Sequence, residues 1–185
     1  MQIIGITGTF GAGKGEVVEY LKRKGFSHFS VRNFLFEEIR RRGMPENRDS
    51  TNFVGEDLRA KHGASYVIES LFKRARESGN NCILESVRTV GEVRFLKSQP
   101  NAYLLAVTAD PKLRYERISR RKSSLDDVSF EKFIADEKRE SNGTDPARMN
   151  LRDCIAMADF VITNEGSKEE LYQKIDAFLQ GITPM

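Results

Sequence analysis

The segment that most constrains this chain is Gly8-Thr9-Phe10-Gly11-Ala12-Gly13-Lys14. It follows a short apolar run at residues 3–7 and precedes a stretch in which Val17, Val18 and Leu21 recur at helical spacing. Strand, glycine-rich turn and helix in that order make a cradle for phosphate. Glycine lets the backbone wrap so that successive N–H groups point at the anion, and the helix N-terminus adds partial positive charge. Lys14 then reaches the β- and γ-phosphates of a nucleotide. The pattern predicts ATP held by Gly8, Thr9, Phe10, Gly11, Ala12, Gly13 and Lys14, with Gly15 and Glu16 opening the helix. Gly15 stands where Ser or Thr commonly supplies a hydroxyl to Mg²⁺, so the ion must rely on ATP phosphates and on its own water shell, much of which Mg²⁺ keeps. This weighs against a motor ATPase or GTPase, as does the lack of an N-K-x-D guanine motif.

Further runs of strand length occur at residues 26–31, 82–86, 102–108 and 160–163, each separated from the next by helical pattern. Such alternation predicts an α/β fold with a mostly parallel five-stranded sheet flanked by helices. Helices are expected at residues 14–24, 33–42, 51–61, 65–78, 90–98, 111–121, 130–140, 148–158 and 168–179. Asp110-Pro111 and Gly166-Ser167 read as helix starts. Residues 43–50, 121–128 and 141–146 read as loops. A length of 185 residues suits one domain spanning 1–185. With 39% hydrophobic and 31% charged residues the chain is too apolar for a disordered one.

A formal charge of +3 does not demand a nucleic-acid partner. No apolar stretch reaches membrane-span length, and residues 1–7 lack the basic start of a signal peptide, so no membrane is expected. The two cysteines, Cys82 and Cys154, are far apart and have no neighbour at metal-ligand spacing, which fits a reduced, cytoplasmic protein. The sequon at Asn142 is then a chance match.

On the acceptor side, Glu85-Ser86-Val87-Arg88 follows the third strand, where α/β sheets place a ligand crevice. Glu85 is a candidate for holding a water of the Mg²⁺ shell, and Arg88 for gripping an acceptor phosphate bidentately. Arg117, Arg120 and Arg121 fall at i, i+3 and i+4, on one helix face before a polar loop, and suit a clamp on the transferring phosphoryl group. His28 and His62 have no partner at motif spacing and read as structural. Phe29, Phe34, Phe36, Phe53 and Phe72 read as core, with Phe34 also placed where an acceptor base would pack. Arg40-Arg41-Arg42 reads as an exposed helix end.

Together these segments resemble the P-loop nucleoside-monophosphate kinase superfamily, of adenylate-kinase type, and within it the dephospho-CoA-kinase-like and deoxynucleoside-monophosphate-kinase-like proteins. The resemblance implies a P-loop three-layer fold, acceptor-binding helices at about 32–78, and a lid at about 117–130. It implies acceptor contacts from Arg32, Asn33, Phe34 and Arg88, catalytic roles for Lys14, Arg88, Arg117 and Arg121, and an adenine border at Asn164 and Gly166. ATP and Mg²⁺ are the expected cofactors. A small nucleotide acceptor is the expected partner, and a monomer or homodimer the expected state. The segment around Arg32-Asn33 lacks the Asp common in adenylate and dephospho-CoA kinases. A hydroxyl acceptor would need a carboxylate base, here Glu37 or Glu85, whereas a phosphate acceptor is already ionised. That favours a nucleoside or deoxynucleoside monophosphate over dephospho-CoA or a nucleoside. An ATP-binding regulatory protein with weak transfer is the remaining alternative.

Overall fold

The computed structural model describes residues 1–120, 129–141 and 143–182. The strands are β1 (Ile3–Gly8), β2 (Ser27–Ser30), β3 (Cys82–Glu85), β4 (Ala102–Thr108) and β5 (Phe160–Thr163). Among the described residues the helices are α1 (Lys14–Arg23), α2 (Val31–Arg41), α3 (Arg48–His62), α4 (Tyr66–Ser78), α5 (Val90–Lys97), α6 (Pro111–Arg120), α7 (Phe130–Glu140), α8 (Leu151–Ala156) and α9 (Lys168–Ile182). The sheet runs β2-β3-β1-β4-β5 and every pairing is parallel. Parallel neighbours require crossovers, and the helices supply them.

The alternation of β1 creates two cores. Ile3 joins Cys82, Leu84 and Leu104 under α2, α3, α4, α5 and α8. Ile4 and Ile6 point the other way, with Ile83, Leu105 and Val107, under α1 and α9. Burying one Ile or Leu contributes about 1.5–3 kcal/mol, so this two-sided packing fixes β1, and with it the phosphate loop, at the sheet centre. Gly5 lies on the first face, where an added Cβ would come 2.3 Å from Leu96 Cδ2. Gly5→Ala is therefore expected to destabilise the fold by about 1–3 kcal/mol through overpacking. A urea midpoint that does not move would mean that Leu96 yields without cost.

Several boundaries differ from the sequence expectation for local reasons. β2 is shorter, because Phe26 is packed under α1 and Val31 already begins α2. α3 starts earlier than residue 51, since the Asn47 side chain accepts from Ser50 N at 2.8 Å and caps it. The Gly43 to Ser50 loop is shortened accordingly. α8 starts later than residue 148, at an Asn150 cap on Asp153 N. α9 continues to Ile182 rather than stopping at residue 179. Phe53, expected in the core, is 58% exposed, while Phe72 is buried. The expected lid at 117–130 is described only at its two ends, in α6 and α7; Arg121 and the rest of residues 121–128 lie outside the described residues. No described helix is long and apolar enough to cross a membrane. Both cysteines are buried free thiols.

Candidate active site

The connections leaving the C-terminal edges of β1, β3, β4 and β5 gather at one end of the sheet, and each brings part of the site. After β1 comes the phosphate loop. Gly8 has φ 132°, and a Cβ there would sit 2.0 Å from Val107 O, so only glycine lets the chain pass over β4. Gly13 has φ 98°, and a Cβ would strike Asn164 Nδ2.

Two side chains pull the loop's carbonyls outward. Arg114 Nη1 donates to Phe10 O at 3.0 Å and Asn164 Nδ2 donates to Ala12 O at 2.8 Å. A trans peptide points its N–H opposite to its carbonyl, so these two bonds turn the N–H groups of Gly11 and Gly13 toward the inside of the loop. Lys14 Nζ closes the loop by donating to Gly8 O and Thr9 O, each at 2.8 Å. Burial and then the nearby Arg88 guanidinium pull the Lys14 ammonium down to about 7. The inward N–H groups, Lys14 and the start of α1 together fit a polyphosphate. Above Gly15 nothing stands within 4 Å of a built Cβ, and no described cluster of three or more His, Cys, Asp or Glu residues suits a metal. The described residues fit Mg²⁺ as an ion carried largely by nucleotide phosphates and water.

After β3 come Glu85 and Arg88. Register pairs Ser30 with Glu85, and His28 Nε2 meets Glu85 Oε2 at 2.9 Å. That hydrogen bond, reinforced by the charges of Lys14 and Arg32, holds the Glu85 carboxyl below its usual range and therefore ionised. Ser86, at φ 77°, turns the chain out of the strand, with Ser86 N and Val87 N both donating to Ile6 O at 3.0 Å. Arg88 follows, with Nη1 at 3.5 Å from Glu140 Oε2 on α7.

Following β4, α6 carries Arg114 and Arg117. Arg114 is 3% exposed and fully engaged: Nε on Ala109 O at 2.8 Å, Nη1 on the phosphate loop, and Nη2 on Glu137 Oε2 at 2.9 Å. Arg117 Nη1 donates to Asn164 O at 2.9 Å, which sets it against the loop after β5. Arg120 is exposed and 3.8 Å from Glu116. Glu137 and Glu140, three apart on α7, thus meet Arg114 of α6 and Arg88 after β3. Phe133 of α7 packs near the loop-tip Phe10, with ring centroids 6.3 Å apart.

Among the remaining expected residues, Arg32 and Asn33 are exposed at the start of α2 beside the strand ends, with the Arg32 guanidinium 6.0 Å from the Phe36 ring. Phe34 lies half-buried under Arg74 at 5.1 Å. Glu16 is turned toward α9, where it bonds to Tyr172 Oη and to Lys168 at 2.9 Å. Gly166 packs against the Glu170 carboxylate, which a Cβ would meet at 2.0 Å. Glu37, the alternative base, is paired at the surface with Arg74.

Sequence reading missed three features. His28, expected to be structural with no partner at motif spacing, pairs with Glu85; only the β2–β3 register reveals this. Arg114 carries a faint signal, lying three residues before Arg117 on the same face. Glu140 carries none.

This arrangement is that of a P-loop kinase fold. Solved structures agree. The chain superposes on the shikimate kinase of Acinetobacter baumannii, solved in complex with shikimate, with TM-score 0.63 at 18% identity, covering 100% of this chain and 96% of that one. It superposes on the dephospho-CoA kinase of Campylobacter jejuni with TM-score 0.52 at 16% identity, covering 98% and 97%. Residues 4–143 match the model of the AAA domain family. Over 180 residues the chain is 31% identical to the UPF0200 protein of Thermococcus sibiricus, covering 94% of this chain and 92% of that protein. The chain belongs to the AAA domain family and groups with the UPF0200 proteins.

Proposed function

We propose that this chain is an ATP-dependent phosphotransferase whose acceptor is a nucleoside or deoxynucleoside monophosphate. The observation that carries the proposal is that two cations, Lys14 and Arg88, follow the C-terminal ends of the paired neighbouring strands β1 and β3, which sets them at the same end of the sheet. One crevice with two such cations suits two phosphates brought together. Mg-ATP, when bound, supplies the γ-phosphoryl group and the metal's charge. Lys14 and the inward N–H groups of Gly11 and Gly13 hold the donor phosphates, and Asn164 and Gly166 border the adenine. Arg88 grips the acceptor phosphate, with Arg32, Asn33 and Phe34 along the acceptor wall. Glu85, ionised, would hold a water of the metal shell when Mg²⁺ is bound. Arg117 and Arg121 stabilise the phosphoryl group in flight, where charge neutralisation and positioning supply most of the rate.

Arg88→Ala tests the assignment. Acceptor KM is expected to rise about 10- to 100-fold, the loss expected for charged hydrogen bonds made in ground and transition states alike. Thermal stability and ATP KM should hold. A rise in ATP KM with acceptor KM unchanged would move Arg88 to the donor side.

One observation favours a second reading, transfer to a hydroxyl. The His28–Glu85 pair sets an ionised carboxylate beside Lys14, as a general base would require. The solved kinases named above support transfer without selecting between the two acceptors.

A further inference from the structure

Glu92, on the first turn of α5, is 0% exposed and yet carries a carboxylate with four N–H donors. Its Oε1 accepts from Arg59 Nε at 2.9 Å and Arg59 Nη2 at 2.7 Å. Its Oε2 accepts from Arg88 N at 2.9 Å and Thr89 N at 3.2 Å. A capping box with Thr89 accounts for the bond to Thr89 N, and Thr89 Oγ1 in turn accepts from Glu92 N. Capping does not account for the bond to Arg88 N or for the buried guanidinium brought in from α3. Arg59 itself is 6% exposed. A buried ion pair is weak support for stability, since apolar residues of similar volume often serve as well. A role in geometry explains it better. Arg88 is held at both ends of its backbone, by Glu92 at its N–H and by Asn150 N, which donates to its carbonyl at 2.9 Å.

We infer that the buried Arg59–Glu92 pair is a positioning device that fixes Arg88 against the phosphate loop and ties that arginine to helix α3. Neither residue touches the crevice; both act through Arg88. α3 packs beside α2, where the Arg42 guanidinium meets Asp57 at 2.7 Å. The pair thereby joins Arg88 to the α2–α3 unit. This rests on Arg88 binding the acceptor, as proposed above.

The test combines hydrogen exchange with a kinetic cycle on the full chain, using ribo- and deoxyribonucleoside 5′-monophosphates as probes. Arg59→Met leaves Glu92 buried without its partner, so Arg59→Met/Glu92→Gln is made alongside it. The amide removes the unpaired charge, and without Arg59 its single oxygen is no longer held toward the Arg88 and Thr89 amides. In both variants the Arg88 and Thr89 amides should exchange about tenfold faster or more, while the β1 and β3 amides keep their protection. Acceptor KM should rise about tenfold with the direct Kd for ATP unchanged, and in an Arg88→Ala background the same changes should bring little further rise, as for residues acting as one unit. Unchanged exchange at Arg88 and Thr89 overturns the inference, as do KM effects that multiply or an equal weakening of ATP binding. If exchange quickens while Arg88→Ala alone leaves every acceptor KM unchanged, the positioning stands and the acceptor role of Arg88 falls.

Discussion

Lys14→Ala is expected to lower kcat/KM by about two to three orders of magnitude, the loss typical when one charge at a transition state is removed. The fold should survive, because Lys14 is half-buried and, among the described residues, bonds to carbonyls of its own loop. A pH signature accompanies the loss. Burial, with Arg88 nearby, draws the Lys14 ammonium down to about 7. Bound phosphate favours the charged form and raises that value again, so above pH 7 nucleotide binding must take up a proton. ATP affinity should accordingly fall as pH climbs from 7 toward 9, and calorimetry in buffers of different ionisation heat should register the uptake. The Lys14→Ala protein should show neither effect. A variant that keeps more than about a tenth of wild-type activity would remove Lys14 from the reacting centre.

Arg114→Met should produce the second large change. The methionine keeps bulk but deletes the donors to Ala109 O, Phe10 O and Glu137 at once. Breaking a buried pair by removing one partner costs about 3–5 kcal/mol, and the half-buried Glu137 places this case near the lower end. Function should suffer separately from stability. Without the pull on Phe10 O, the Gly11 N–H is no longer held inward, and ATP KM should rise about tenfold, as for loss of a charged hydrogen bond. Denaturant midpoints and initial rates at low temperature separate the two losses. Wild-type ATP affinity in a destabilised protein would show that Arg114 braces α7 and does not shape the loop.

Much of this was readable from residue order because the determining contacts are local or periodic. The Gly8–Lys14 loop follows its strand directly, and Ile3, Ile4 and Ile6 alternate between two cores as a period of two requires. The Asp110 and Ser167 caps need only neighbours two or three residues on. Other contacts have no local trace. His28 meets Glu85 only because β2 lies beside β3 in one register, and Arg59 meets Glu92 across 33 residues. Arg114 resembles any solvated arginine until Phe10, Ala109 and Glu137 are seen to converge on it. Phe53 misled because aromatic character alone does not say which face of α3 turns inward. The glycine-rich loop was therefore legible, while the hydrogen bonds to the Arg88 backbone and to the loop's carbonyls were not.

Acceptor-stimulated ADP production is the most direct measurement of what this crevice does. The purified chain is incubated with Mg-ATP and, separately, each nucleoside and deoxynucleoside monophosphate, each nucleoside, and dephospho-CoA. ADP should appear well above the no-acceptor rate with at least one monophosphate, together with the matching diphosphate, and this should be lost with Lys14→Ala. Stimulation by a nucleoside or dephospho-CoA alone would assign the site to a hydroxyl acceptor and Glu85 to the base. ATP binding with no stimulation by any of them would contradict phosphotransfer to these acceptors.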